Sequence, residues 1–365
     1  MKKISLIGST GSIGKQVIQV VRRHPEEFKI VALVASSNRA EFEKQVGELK
    51  PDLYALSSVD KQKALSAADY PQADIIFNAA GGFAGLEYSL RAVSAGKTLA
   101  LANKETLVCG GDIIIPLAQK TGSEILPVDS EHSAIWQCLN FGRDAKVRRL
   151  IITASGGAFR DYPDEKLKTV TPEQALAHPT WKMGKKITVD SATLMNKGYE
   201  VIEAHVLYGT PYTAIETVIQ PQSVIHSLVE FTDGAVIAQL SYPTMELPIQ
   251  LALSYPQRLG LAVEAMDFKR TFSLDFKPLA REKYPCFDIA LECGEQGGIA
   301  PCVLNAADEE AVKAFLQGRI AFTDISRAVR AVIDKFPNEK VESFSQLEGI
   351  DGAARRLAQE YLKMN

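Results

Sequence analysis

Apolar and polar positions follow two different periods along this chain. "ISLIG" (4–8) and "FKIVALVA" (28–35) are short apolar runs with few polar breaks, as strands buried on both faces require. Between them, "GKQVIQVVRRH" (14–24) repeats its apolar residues at three- and four-residue intervals, the period of an amphipathic helix. The alternation continues through a helix at "RAEFEKQVGELK" (39–50), a strand at "DLYAL" (52–56), a helix-like stretch, a strand at "ADIIFNAA" (73–80), another helix and "TLALAN" (98–103). Strand–helix alternation up to residue 122 implies a parallel sheet with helices on both faces.

The pattern changes after residue 122. "SEILPVD" (123–129), "VRRLIITAS" (147–155) and "VIHSLVEFTDGAVIAQLSYP" (224–243) are strand-like, with helices expected near 131–140 and 191–208. The last of these alternates around an Asp-Gly pair and predicts a hairpin. Residues 123–258 therefore read as an α+β domain with an antiparallel component, and the proline-punctuated stretch 259–285 as a linker. Residues 286–365 read as a small helical bundle.

Composition narrows the class. The chain has 365 residues, 46% of them hydrophobic, and a formal charge of −3. Nucleic acid is a poor fit for that charge, because such partners need a basic face. The five cysteines (109, 138, 286, 293, 302) are odd in number and lack CxxC spacing, so neither a disulfide framework nor a zinc module is implied, and a reducing cytoplasm fits. No apolar stretch approaches the roughly 20 residues of a membrane helix, and the N-terminal apolar run is too short and too interrupted for a secretory signal.

The candidate chemistry begins at "GSTGSIG" (8–14). Gly8, Gly11 and Gly14 stand between a strand and a helix, where glycines let the backbone approach a pyrophosphate held by free N–H groups of the helix start. The bland alternative is a tight packing turn. At the end of the second strand an acid for a ribose hydroxyl is missing; Ser36, Ser37, Asn38 and Arg39 offer donors and one guanidinium, which suits a 2′-phosphate and hence NADPH. Asn103, Lys104 and Glu105 end another strand, where parallel sheets bind ligands; a helix-start charge pair explains them equally well.

"VDSEH" (128–132) leaves three readings open: a metal site, an acid/base pair, or a strand ending in a capped helix. If it is extended, Asp129 and Glu131 leave one face together while Ser130 and His132 point elsewhere. "SGGAF" (155–159) is a small-residue turn after a strand. Gln174 to Gly184 reads as a mobile loop, with Trp181 and Met183 as apolar groups able to close over a ligand. Asn196, Lys197 and Glu200 share a helix face by spacing, and Gly198 among them costs the helix about 1 kcal/mol relative to Ala, which calls for close packing or ligand approach. His24, His205 and His226 read as structural, His178 as a ligand contact.

These runs, with "LANKE" (101–105), "PVDSEH" (127–132), "HPTWKMG" (178–184) and "VDSATLMNKGYEVIEA" (189–204), resemble in order and spacing the 1-deoxy-D-xylulose 5-phosphate reductoisomerase family over essentially the whole chain. The resemblance implies an α/β fold: an N-terminal Rossmann-like doubly wound parallel sheet, an α+β connective catalytic domain and a small C-terminal helical bundle. It implies a cytoplasmic homodimeric oxidoreductase that uses NADPH and one divalent ion (Mg²⁺, Mn²⁺ or Co²⁺) to turn a phosphorylated ketose into 2-C-methyl-D-erythritol 4-phosphate, with no nucleic-acid or membrane partner.

By position the resemblance implies that Gly8 and Thr10, Gly11, Ser12 and Ile13 hold the pyrophosphate, and Ser36, Ser37 and Asn38 the adenosine end. Asn103, Glu105 and Gly184 also touch NADPH; Arg39 rests on its chemistry alone. Asp129, Glu131 and Glu200 bind the ion, and Lys104 and Ser130 the substrate near the reacting carbons. Ser155, Ser191, Asn196 and Lys197 clamp the phosphate, and His178 and Trp181 close from the loop. One departure, Ala158 where many members have Pro, removes no functional group. Two rivals remain: a semialdehyde or acyl-phosphate reductase, which needs a thiolate nucleophile that neither Cys138, in the helix past the carboxylates, nor Cys109, in a Gly-flanked turn, supplies in a convincing setting, and a non-catalytic NADP(H) sensor.

Overall fold

The structure, a computed structural model, describes residues 1–141, 145–260 and 263–364. The chain forms two compact units, each discontinuous in sequence. The first comprises residues 1–106, 114–133 and 244–266; the second comprises 107–113, 134–243 and 267–365.

In chain order the elements of the N-terminal third are β1 (Lys2–Ile7), α1 (Ser12–Arg23), β2 (Phe28–Ala35), α2 (Arg39–Leu49), β3 (Leu53–Leu56), α3 (Lys61–Leu65), β4 (Ile75–Asn78), α4 (Gly85–Ser94), β5 (Thr98–Leu101), α5 (Lys104–Thr121), β6 (Ile125–Pro127) and α6 (Ser130–Phe141). There follow β7 (Val147–Ala154), α7 (Pro172–Ala175), α8 (Lys185–Thr193), α9 (Met195–Tyr208), β8 (Ile215–Ile219), β9 (Ile225–Phe231), β10 (Val236–Leu240), α10 (Glu246–Ser254), β11 (Lys277–Pro278), α11 (Pro285–Gln296), α12 (Ala300–Leu316), α13 (Asp324–Ile333) and α14 (Phe344–Met364).

The first unit holds a six-stranded, all-parallel sheet in the order β3-β2-β1-β4-β5-β6. The central strands are buried on both faces, as their unbroken apolar runs require: Ile4, Leu6, Ile76, Phe77 and Leu99 are fully covered. The order runs outward in both directions from β1 and β4. The gap between their carboxyl ends is thus the switch point at which doubly wound sheets bind ligands. "SEILPVD", expected in the second domain, supplies β6, the sixth strand of this sheet. Helix α10 also joins this unit, where Arg23 pairs with Glu246 at 2.7 Å and His24 Nε2 lies 2.9 Å from Gln250 Oε1. The expected cuts at 122 and 258 were continuous; packing instead returns residues 244–266 to the first unit, because its apolar face finds α1 there.

The second unit holds a mixed five-stranded sheet in the order β10-β9-β7-β8-β11. β9 and β10 form the hairpin predicted at the Asp-Gly turn, and β7 with β8 is the one parallel pair of this sheet among the described residues. Lys277–Pro278, within the expected linker, is instead the edge strand β11, antiparallel to β8. A core of Leu150, Ile152, Val201, Ala204, Val229 and Phe287 fills the space between this sheet and its helices. Helices α11 to α14 are the C-terminal helical portion read from the sequence. The single helix expected over 191–208 is two, α8 and α9, separated by Leu194 in a left-handed conformation (φ 57°).

Candidate active site

Backbone packing shapes the turn after β1. Gly8 has φ +85°, and a Cβ there would stand 2.3 Å from the Ala79 carbonyl oxygen at the end of β4. A Cβ on Gly14 would stand 2.3 Å from the Gly8 carbonyl oxygen. Strand end, turn and helix are therefore pressed backbone to backbone, which leaves the start of α1 bare: its N-cap, Gly11, contributes no side-chain cap. Thr10 and Ile13 are half-buried, Gly11 and Ser12 exposed. A helix start without a cap, at the switch point, suits a pyrophosphate. At the end of β2, Ser36, Ser37, Asn38 and Arg39 are all exposed. Asn38 caps α2 by accepting from the Glu41 N–H at 3.3 Å, and Arg39 pairs with Glu43 at 3.4 Å. Such an exposed i,i+4 pair is worth only a few tenths of a kcal/mol, so the guanidinium is easily recruited to a phosphate.

Asn103 and Glu105 turn inward. The Asn103 side-chain oxygen caps α5 by accepting from Thr106 N–H (2.9 Å), while its Nδ2 is shared among Ala80 O (2.9 Å), Gly82 O (3.0 Å) and Glu105 Oε2 (2.7 Å). Glu105 Oε1 accepts from Gly82 N–H at 3.2 Å. These residues brace the loop after β4, so their side chains shape that loop through internal bonds.

Asp129 does not sit in an extended segment with Glu131. The chain leaves β6 at Pro127 and enters α6 at Ser130, with the Ser133 N–H already bonded to the Asp129 carbonyl at 2.8 Å. Glu131 is thus in the first helical turn, and the strand geometry that put both carboxylates on one face while turning His132 away does not apply. One helical turn instead brings His132 back, with Nδ1 3.3 Å from Asp129 Oδ2. Asp129 also pairs with Lys104, and Ser130 Oγ donates to Glu131 Oε2 at 2.5 Å. Burial opposes ionisation of Asp129, yet the Lys104 ammonium and His132 ring outweigh it and hold its carboxyl well below the usual range. The segment is therefore a strand end that passes directly into a helix.

In the second unit the predicted residues divide between a turn, a loop and two helices. Ser155 ends β7, with its Oγ 2.9 Å from His178 Nε2 and 3.5 Å from Ser191 Oγ on α8. His178 Nδ1 accepts from Trp181 N–H (2.9 Å) and Thr180 N–H (3.2 Å), so the ring proton is on Nε2 and donates to Ser155. Burial, with the Arg160 charge second, pulls His178 down to about 4, so the ring is neutral near pH 7. The Trp181 ring meets the edge of His226 at 6.0 Å. Gly184 caps the following helix α8. On α9, Asn196 Nδ2 donates to Glu200 Oε1 at 2.5 Å and Lys197 pairs with Glu200. Lys197 and Glu200 are 3% and 1% exposed, far too buried for a solvated surface pair.

Gly198 is present for packing: a Cβ there would lie 2.3 Å from the Ala290 Cβ of α11. His24, His205 and His226 have structural bonds, to Gln250 (2.9 Å), Thr210 O (2.8 Å) and Ser241 O (3.2 Å). All five cysteines are buried, and burial pushes the Cys138 thiol up to about 11. That removes Cys138 as the thiolate a semialdehyde reductase requires, and Cys109 is buried away from any substrate. Sequence reading overlooked the Lys186–Asp190–Asp308 cluster of the second unit. Its one signal was the polar residues inside "KKITVDSA", which look surface-like until α12 is packed on them.

Three family models match. One for 1-deoxy-D-xylulose 5-phosphate reductoisomerase covers residues 4–69 and 58–111, and two for C-terminal domains of that enzyme cover 125–208 and 240–357. A 1-deoxy-D-xylulose 5-phosphate reductoisomerase of Rippkaea orientalis is 44% identical, over 100% of this chain and 96% of its own. The chain belongs to the 1-deoxy-D-xylulose 5-phosphate reductoisomerase family. Its counterpart in Thermomicrobium roseum is 46% identical over 98% of this chain and 97% of its own. Among solved structures, a family member crystallised with NADPH, fosmidomycin and magnesium superposes with a TM-score of 0.93 at 34% identity, covering 100% of this chain and 99% of the other. The Zymomonas mobilis enzyme in complex with NADPH gives 0.90 at 37% identity, covering 99% of each. The expected fold class is that of the family, and membership makes this chain an NADP-dependent oxidoreductase rather than a sensor. No helix among the described residues is long and apolar enough to cross a membrane.

Proposed function

We propose that this chain converts 1-deoxy-D-xylulose 5-phosphate to 2-C-methyl-D-erythritol 4-phosphate with the following division of labour. The observation that carries the reading is that Asp129, its carboxyl held well below the usual range, pairs with Lys104, and that the buried Glu200 pairs with Lys197. Charged oxygen donors of this kind suit a hard divalent ion, and Asp129, Glu131 and Glu200 would hold one. When bound, such an ion supplies Lewis-acid polarisation of the substrate carbonyl and a template for adjacent oxygens. NADPH supplies the hydride that reduces the rearranged aldehyde. Close packing at Gly8 and Gly14 leaves the start of α1 without a side-chain cap, and this bare helix start, Thr10 to Ile13, would take the NADPH pyrophosphate. Ser36 to Asn38 would take the adenosine end and Arg39 the 2′-phosphate; Asn103, Glu105 and Gly184 border the same cofactor.

The chain's own groups do the rest. Lys104 and Ser130 orient the substrate and donate to oxygens on which charge develops. Ser155, Ser191, Asn196 and Lys197 bind the phosphate, whose binding energy is available for loop closure. His178, neutral and donating through Nε2, keeps Ser155 pointed, while Trp181 excludes water. The finer reading is of a cytoplasmic homodimer.

One assay tests the function: NADPH oxidation followed with 1-deoxy-D-xylulose 5-phosphate, with Mn²⁺ and after exhaustive chelation. Turnover is expected to vanish on chelation while NADPH still quenches protein fluorescence. Undiminished turnover without metal overturns the carboxylate assignment.

A further inference from the structure

The phosphate-binding residues of this reading lie on two short helices, and a single buried carboxylate outside them ties both down. Ser191 is on α8, and Asn196 and Lys197 open α9, with the left-handed Leu194 between. Neither helix has a side-chain cap to set its start. Asp308, in the middle of α12 and fully buried, accepts from Lys186 Nζ at 2.7 Å and from the Tyr199 hydroxyl at 3.3 Å through the same oxygen, Oδ2. Lys186 is in the first turn of α8, two residues past Gly184, where the loop of His178 and Trp181 ends. Its Nζ also bonds Asp190 Oδ2 at 2.6 Å, directly before Ser191, and sits 5.1 Å from the centre of the Tyr199 ring. Tyr199 itself is fully buried, two residues past Lys197.

Nothing in the proposed chemistry uses this cluster, yet it is costly. Two buried carboxylates converge on one ammonium, and taking such charges out of water costs on the order of several kcal/mol per ion, which the pairing must offset. The second oxygen of Asp308 is buried without a hydrogen-bond partner. A cluster that stabilised only the fold would be replaceable by apolar side chains of similar size. Its three attachments instead fall at the start of α8, beside Ser191, and two residues past Lys197 on α9.

We propose that Asp308 is a positioning residue of the phosphate clamp, setting α8 through Lys186 and Asp190 and α9 through Tyr199. It touches no substrate. It fixes the relative rotation of the two helices across Leu194, so that the Ser191 hydroxyl and the Lys197 ammonium converge. The inference rests on the phosphate role given to Ser191, Asn196 and Lys197 above.

The test uses the full chain with steady-state kinetics and inorganic phosphate as competitive inhibitor, for Asp308→Asn, Tyr199→Phe and, as reference, Lys197→Ala. Neighbouring groups of one network couple strongly. Asp308→Asn is therefore expected to raise both KM for the phosphorylated substrate and the phosphate inhibition constant roughly tenfold, with kcat and NADPH affinity changed less than about threefold. Tyr199→Phe, which loses one hydroxyl, should move the same two constants in the same direction by a smaller factor, and it decides the question if Asp308→Asn does not fold. A merely structural role would lower the unfolding midpoint and leave the KM-against-kcat split untouched; that result overturns the proposal. If Lys197→Ala weakens phosphate and neither network variant does, the positioning role alone fails. If Lys197→Ala also leaves phosphate inhibition unchanged, the clamp reading itself fails and the inference with it.

Discussion

Gly198→Ala separates two effects that oppose each other. In an exposed helix the change stabilises by about 1 kcal/mol, because Gly is the more disordered residue when unfolded. Here the new Cβ would lie 2.3 Å from the Ala290 Cβ and 3.5 Å from the Phe287 carbonyl oxygen. Carbon atoms in contact sit about 3.5–4.0 Å apart, so α9 and α11 must part by roughly 1.2–1.7 Å. Overpacking of this kind costs about 1–3 kcal/mol, which leaves a net loss of about 0–2 kcal/mol after the propensity gain. The kinetic effect is larger, because Lys197 is adjacent and Glu200 half a turn on. A misplacement of about 1 Å at such groups lowers rates roughly a hundredfold. Denaturant melts and kcat/KM on the same preparation make the comparison, and adding Ala290→Gly should recover most of the rate by returning the space. A Gly198→Ala chain about 1 kcal/mol more stable than its parent, with unchanged kcat/KM, would refute the packing account of this glycine.

Other expectations follow from the same geometry. Glu200→Gln leaves the Lys197 ammonium buried without its carboxylate, so stability should fall by roughly 3 kcal/mol and calorimetry should show weakened Mn²⁺ binding; parental Mn²⁺ affinity removes Glu200 from the ion site. His178 has a folded pKa depressed from 6.5 to about 4, so its neutral form's contribution is present above pH 6.5 and is lost as pH falls through 4. Protonation at Nδ1 ends its acceptance from Thr180 and Trp181, so the protection of those two amides relative to their intrinsic exchange rate should drop as pH falls through about 4, and unchanged protection there would count against the tautomer assigned.

Local signals made much of this legible from the chain alone. The parallel sheet was readable because doubly buried strands must be apolar throughout, and the Asp-Gly hairpin because that turn has its own chemistry. Membership of the family was readable because six short motifs keep their order. Errors came where a residue's geometry depends on what packs against it. Asp129 and Glu131 were read with strand period because "EILPVD" is extended; the helix begins one residue earlier than that reading allowed, and this brought His132 onto Asp129.

Sequence by itself determined which groups the protein owns: glycines for a phosphate turn, carboxylates and ammonium groups for an ion and a phosphate, and no cysteine in a reactive setting. Periodicity also determined which faces are apolar, since that needs only neighbours three, four or two residues away. Tertiary structure decided what those groups meet. Gly198 has its reason in Ala290, ninety-two positions on; Lys186 has its partner in Asp308, and the stretch 244–266 has its unit in α1. Such pairings are set by packing and desolvation between segments distant in the chain. A polar residue inside a helix looks the same in sequence whether water or a buried carboxylate faces it.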